Sequence, residues 1–228
     1  MSPAPAVRPA GRPPRLSRDA VVDAAEAIVA GEGIDALTMR RLADSLRCST
    51  MALYRHVRDK DELLVLLIDR RAAELPRPDL PADPRSRLLA LYRLLYDGLW
   101  ESPWIVEVLV KGDLIAPAVL WAVDAILAGF LDAGLAPERA AAAYHAAWRY
   151  TIGELTVRHA TARHLPTLDR PPMVRSLLSA VDPSELPALT SIAPHWSVAR
   201  EGAAFDDGLA AMIDGLLTWR DSVHVRKS

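Results

Sequence analysis

Beyond residue 80 the prolines of this chain repeatedly stand where an apolar segment begins, and within those segments hydrophobic residues recur every three or four positions. A proline costs nothing in the first turn of a helix, where its missing N–H would have no partner, but it removes a ladder bond from a strand. No stretch sustains a two-residue alternation, so the fold class expected is all-α. Helices are expected near Arg85 to Glu101, Pro103 to Val110, Pro117 to Ala133, Pro137 to Arg163, Pro183 to Ser191 and Gly202 to Asp221, with a proline-rich loop from Leu165 to Pro172. With 51% hydrophobic residues among 228, the chain can bury one large core or two smaller ones.

The N-terminal third has its own punctuation. Ser17, Thr38, Ser49 and Asp59 each precede an apolar helical run, as side chains that accept a hydrogen bond from a helix's first free N–H groups do. They define a helix from Ser17 towards Gly31 and Gly33, a brief amphipathic one over MRRLADSL, a third over TMALYRHV and a fourth over KDELLVLLIDRRAAEL. Pro76, Pro78, Pro81 and Pro84 then mark a boundary. Residues 1–60 hold ten Lys/Arg against seven Asp/Glu, a balance of +3 inside a net charge of -2, so the remainder carries -5. A basic N-terminal module facing a polyanion, followed by a body that does not, accounts for that split.

Two short helices separated by Leu46-Arg47-Cys48, the second opening on small polar residues and continuing into aromatic and basic ones, suit a helix laid in the major groove of DNA. Leu42, Leu46, Cys48, Leu53 and Val57 would close a small core, leaving Thr50, Met51, Ala52, Arg55 and His56 on or near the far face. Arg55 is long enough to read a guanine edge, and Tyr54, His56 and Lys60 to hold phosphates beside it; Arg40 reaches the same groove. An ordinary helical hairpin with a solvated basic face is the other reading that periodicity allows.

LTMRRLADSL followed by STMALYRHVRDKDELL resembles the DNA-binding region of the tetracycline-repressor (TetR) family of transcription regulators, over residues 16–75. The resemblance implies a three-helix, homeodomain-like helix-turn-helix domain and a larger C-terminal helical domain, here residues 84–222, for effector binding and dimerisation. It places Thr38, Arg40, Tyr54, His56 and Lys60 where the family anchors phosphates or touches bases, and Thr50, Met51, Ala52 and Arg55 at the sequence-reading positions. The family's turn carries Gly then Val, where this chain has Arg47 and Cys48. If the turn needs a positive φ, Arg47 costs on the order of 1 kcal/mol relative to glycine, which a phosphate contact would offset. Residues 1–15 read as a disordered basic arm, whose Arg8, Arg12 and Arg15, together with Arg18, either enter a minor groove or only solubilise the chain.

By the same resemblance Pro137 to Arg163 and Gly202 to Asp221 would pair with their copies in a four-helix bundle. Phe205 to Trp219 resembles the C-terminal end of the subgroup nearest the tetracycline repressor, and Gly208 and Gly215 would allow close approach. None of the six tryptophans lies in residues 1–75. On the helix from Pro137, Tyr144, Trp148, Leu155 and His159 fall on one side, with His145 and Ile152 at its margin. That stripe is either core and dimer seam or the wall of a small-molecule pocket, and Trp100, Trp104, Trp121, His145, Trp148 and Arg149 are the pocket candidates.

The function expected is a transcriptional repressor that binds a palindromic operator on double-stranded DNA as a homodimer and is released by a small-molecule effector. The alternative is an all-helical carrier or enzyme whose N-terminal unit is only structural. No glycine-rich phosphate loop and no nucleophile–base spacing supports an enzyme, so no cofactor is expected, and the irregular spacing of His145, His159, His164 and Glu154 supports no metal. A lone cysteine, Cys48, and an N-terminus without a continuous apolar core fit a cytoplasmic protein. Leu114 to Leu131 is apolar, but Asp124 at its centre would cost about 3 kcal/mol in a bilayer, so a buried helix is expected there.

Overall fold

A computed structural model of the chain describes residues 16–112, 114–164, 182–195 and 204–221. These are all-helical, with no strand among the described residues. The helices are α1 (Arg18–Glu32), α2 (Met39–Ser45), α3 (Thr50–Leu53), α4 (Lys60–Ala73), α5 (Pro84–Trp100), α6 (Pro103–Lys111), α7 (Leu120–Asp132), α8 (Pro137–His164), α9 (Pro187–Ile192) and α10 (Ala204–Leu217). They divide into two compact units, Met1–Leu67 and Ile68–Ser228, and the division falls within α4. The basic arm and the Leu165 to Pro172 loop lie outside the described residues.

In the first unit the four cap residues do what their chemistry predicts. Ser17 Oγ accepts from the Ala20 N–H at 3.1 Å, Thr38 Oγ1 from Arg41 at 3.0 Å, Ser49 Oγ from Ala52 at 3.2 Å and Asp59 Oδ1 from Glu62 at 2.8 Å. Val21, Ala25, Leu37, Leu42, Leu53 and Val57 are buried, which brings α1, α2 and α3 onto one small core. Leu46 and Cys48 are only half-buried.

Helix α2 ends in a turn that closes two bonds at once. The Cys48 N–H donates to Ala43 O at 3.0 Å and the Arg47 N–H to Asp44 O at 3.2 Å, the pattern of a helix stop whose first residue past the cap takes the left-handed conformation. That residue is Arg47, at φ +50°, the one non-glycine positive φ among the described residues. The third helix is shorter than its apolar pattern suggests: after Leu53 the chain tightens, with Arg55 N–H donating to Ala52 O at 3.3 Å and His56 N–H to Leu53 O at 2.8 Å. Those i→i+3 bonds narrow the last turn and carry Val57 back into the core.

The second unit is built around Tyr92 and Phe130, both with no exposed surface, and Phe205, with α5, α7, α8 and α10 contributing Leu91, Ile126, Leu155 and Leu209. Burial pushes the Tyr92 hydroxyl's pKa up, and it stays protonated to donate to Tyr144 O at 3.0 Å. The hydroxyl end of Tyr150 reaches Gly208, where an added Cβ would meet the phenol oxygen at 2.1 Å, and it donates to Phe205 O at 3.3 Å. Gly208 thus serves an approach within the chain, whereas nothing stands within 4 Å of a Cβ at Gly215. Arg85 clasps Asp214 at 2.5 and 2.9 Å, and Arg93 bridges Asp97 and Asp206.

The apolar stretch from Leu114 is not one buried helix. It begins as extended chain, makes a 3-10 turn at Pro117–Val119, and becomes α7, whose Ala122, Ile126 and Phe130 are buried while Asp124, Leu120 and Leu131 are exposed. An exposed Asp124 needs no partner, which is how α7 tolerates a charge mid-helix. No described helix is long and apolar enough to cross a membrane. The segment expected from Pro183 opens as a turn, and helix proper starts only at Pro187.

Replacing Arg47 by glycine exchanges left-handed strain for extra chain entropy. We expect Arg47→Gly to stabilise the protein by about 0.5–1 kcal/mol in urea unfolding; a destabilised variant would show that the turn does not hold a left-handed residue.

Candidate functional site

The first unit sorts its basic side chains into two groups. Arg41 is spent on Glu32 at 2.5 Å, and Arg18 and Arg58 both reach Glu62, at 2.5 and 3.3 Å. Arg40, Arg47, Arg55 and Lys60 are exposed and pair with no carboxylate among the described residues. Met51, 72% exposed, and Tyr54, 47% exposed, stand out on the same short stretch, apolar surface that a lone helical hairpin would have reason to hide. Thr50, Ala52 and His56 are half-buried between them. Thr38 accepts the Arg41 N–H at the start of α2, so its hydroxyl proton is left to donate elsewhere.

Glu62 holds this arrangement together. It accepts from the Arg58 backbone N–H at 2.6 Å, and its neighbours Arg58 and Arg18 add positive charge. That backbone bond first, and the two guanidinium groups after it, hold the Glu62 carboxyl below the usual glutamate range.

The second unit holds a half-open cavity of about 740 Å³, within the range of small-molecule pockets. Its walls come from the second half of α4 (Ile68, Ala72) and Leu75 just beyond it, from α5 (Leu95, Gly98, Leu99), from α6, from the chain Leu114–Ala116 with Val119 and Val123, and from Tyr144, His145 and Trp148 on α8. A Cβ at Gly98 would lie 2.4 Å from the Cδ2 of Leu75, so the Leu75 side chain rests directly on Gly98 of α5. Asp69, on α4, accepts the Ala118 N–H at 2.7 Å and so ties the 3-10 turn beside the cavity to α4.

Of the six pocket candidates, His145 and Trp148 line the cavity; Trp100, Trp104, Trp121 and Arg149 do not. Trp100 instead stacks on His159 at 4.7 Å beneath Arg158, and Trp121 lies under Arg77 at 5.3 Å. The aromatic stripe of α8 is divided: Tyr144 and Trp148 face the cavity, while Leu155 and His159 are buried in the core, with His159 Nε2 3.2 Å from Trp100 O. The contributions of Ile68, Ala72, Leu75, Asp69 and Glu101 were not anticipated, although the i, i+4, i+7 spacing of the first three was there to be read. Among the described residues no three His, Cys, Asp or Glu side chains gather as a metal site; the His164 side chain lies outside them.

Residues 21–67 match the family model of bacterial regulatory proteins, tetR family, and residues 77–220 match the tetracyclin repressor-like C-terminal domain. The second match alone covers more than half of the chain. The chain belongs to the TetR family of bacterial regulatory proteins. HTH-type transcriptional repressor DrrR1 of Streptomyces coeruleorubidus is 35% identical over 127 residues, 55% of this chain and 47% of that protein. The chain thus matches about half the length of that relative. The class A tetracycline repressor from transposon 1721 of Escherichia coli is 28% identical over 211 residues, 89% of this chain and 91% of that one. Among solved structures, the TetR family protein ActR of Streptomyces coelicolor in complex with actinorhodin superposes with a TM-score of 0.75 at 25% identity, covering 90% of this chain and 97% of ActR.

A carboxyl with a lowered folded-state pKa stabilises above its unfolded value, and the contribution fades as pH falls through the folded one. Glu62→Gln should therefore be less stable than the parent at pH 7, with the gap closing as pH falls through and below the usual glutamate range in urea titrations. A gap that stays constant with pH would show that the Glu62 charge is not what matters.

Proposed function

We propose that the chain is a transcriptional repressor that binds a palindromic operator as a homodimer and lets go when a small molecule fills the cavity of its second unit. The observation that carries this reading is the sorting of charge. Among the described residues Arg40, Arg47, Arg55 and Lys60 pair with no carboxylate around exposed Met51 and Tyr54, while Arg41 is held by Glu32 and Arg18 and Arg58 share Glu62. Free cations around a protruding one-turn helix suit duplex DNA, with phosphates at Arg40, Arg47, Tyr54, His56, Thr38 and Lys60, and bases at Thr50, Met51, Ala52 and Arg55.

One such helix reads too few base pairs to be selective, so two copies are needed, spaced about one DNA turn, 34 Å, apart. Exposed Ala142, Gly153 and Val157 on α8, with exposed Ala211 and Gly215 on α10, offer small-residue faces on which helices from two copies can approach closely. The effector reading rests on the cavity, and ActR in complex with actinorhodin supports it as a relative of the same fold. An effector releases DNA only if it prefers the conformation that DNA does not. In this reading α4 carries the change: it gives Leu63, Leu64 and Leu67 to burial and Ile68, Ala72 and Leu75 follow along the chain to line the cavity.

On a protected inverted repeat from the DNA upstream of its gene, Arg55→Ala should cost about 1–3 kcal/mol and flatten the preference over a scrambled duplex. Lys60→Ala should weaken both duplexes equally and reduce the salt slope by about 1. Fluorescence anisotropy at several salt concentrations separates the two, and equal losses for Arg55→Ala on both duplexes would make Arg55 a phosphate contact. Asp69→Ala, which frees the Ala118 turn from α4, should bring effector affinities with and without DNA towards the same value by calorimetry. An unchanged ratio would remove Asp69 from the coupling.

A further inference from the structure

The charges around the cavity are lopsided. Among the described residues its lining holds three carboxylates, Glu74, Asp97 and Glu101, and a single guanidinium, Arg71. Arg71 is already engaged by Glu74 at 2.5 Å, and Asp97 is held from outside the lining by Arg93 at 2.8 Å. That leaves Glu101, at the C-terminal cap of α5, with no side-chain partner among the described residues and no lining cation to spare for an incoming anion. Beside it the walls are aliphatic, and Tyr144 and Trp148 present aromatic rings to the same space.

From this we infer that the cavity takes a hydrophobic organic cation, a flat ring system carrying an amine or amidine, with Glu101 meeting the charge. The inference rests on the cavity being the effector site. Each part of the lining has a counterpart in such a molecule. Apolar walls take up the ring area, aromatic faces attract a cation through the negative potential above the ring, and the free carboxylate supplies the opposite charge. An aromatic anion of the same shape would lose its hydration and find Arg71 occupied and Glu101 repelling it. Because Glu101 is exposed, its contribution is screened and sets preference rather than the whole affinity.

Three probes of one shape test the charge alone: 9-aminoacridine, a cation at neutral pH; acridone, neutral; and acridine-9-carboxylate, an anion. Binding to the full chain is followed by calorimetry and by quenching of tryptophan fluorescence. The expected order is cation, neutral, anion, with at least a tenfold gap between the ends. Glu101→Gln should weaken the cation about fivefold, the effect of one screened charge near 4 Å, and leave acridone unchanged. Equal or tighter binding of the anion, or no effect of Glu101→Gln on the cation, overturns the charge assignment while the cavity remains a ligand site. If Val123→Trp, which fills the cavity and whose folding is checked by its circular dichroism melt, binds all three as the parent does, or if the parent binds none, the cavity reading itself fails and this inference with it.

Discussion

The left-handed turn at Arg47 is the constraint on which the first unit depends. Because the Cys48 and Arg47 N–H groups both fold back onto α2, the chain leaves that helix along one path, and Ser49 starts α3 at once by capping Ala52. Those backbone bonds hold the turn between the two helices. Leu53 and Val57 then lock α3 from beneath, and what remains upward is Met51, Tyr54 and Arg55. A residue other than glycine at that position raises the energy of the turn, and Arg47, like Arg40, Arg55 and Lys60, pairs with no carboxylate among the described residues. Strain and exposed charge at the same residue are what a site held ready for a polyanion would combine.

In the second unit the corresponding feature is the half-open cavity. The core around Tyr92, Phe130 and Phe205 is closely filled, and beside it the cavity of about 740 Å³ is walled by α4, α5, α6 and α8. The Asp69 carboxylate bonded to the Ala118 N–H joins two of its walls. A ligand that spreads those walls must stretch or break that bond.

Much of this was legible in the residues, and for reasons that differ from element to element. Ser17, Thr38, Ser49 and Asp59 could be assigned as caps because a short polar side chain before an apolar run has few other uses, and each one is found bonded as expected. The helical class followed from proline placement. The early end of α3 was not visible, since the tightening at Arg55 and His56 is made by backbone bonds that side-chain periodicity does not record. The cavity was only half visible. Helical spacing says which way Tyr144 and Trp148 point but not whether the space they face is filled. Trp100 and Trp121 lie off the cavity lining and stand under Arg158 and Arg77 instead, a use of large aromatic rings that spacing does not reveal. Asp69 and Glu101 gave no local signal at all, being two carboxylates among many.

The charge split noticed at the outset also limits how an effector could act. Residues after Lys60 sum to -5 and those up to it to +3. A cation entering the second unit makes that unit less negative, and any long-range electrostatic effect would then favour DNA, not release it. At physiological salt such an effect decays over about 8 Å, so it is small as well as of the wrong sign. If a cationic effector releases the operator, it must do so by changing shape, through preference for one arrangement of the cavity walls over another. The energy available for that is the difference in its affinity for the two arrangements, and a shift from mostly bound to mostly released requires a difference of several kcal/mol. Apolar walls such as Ile68, Leu75 and Val119, which an entering ring system presses on directly, are better placed to supply it than the single screened carboxylate at the mouth. Charge in this cavity would select the ligand, and packing would do the switching.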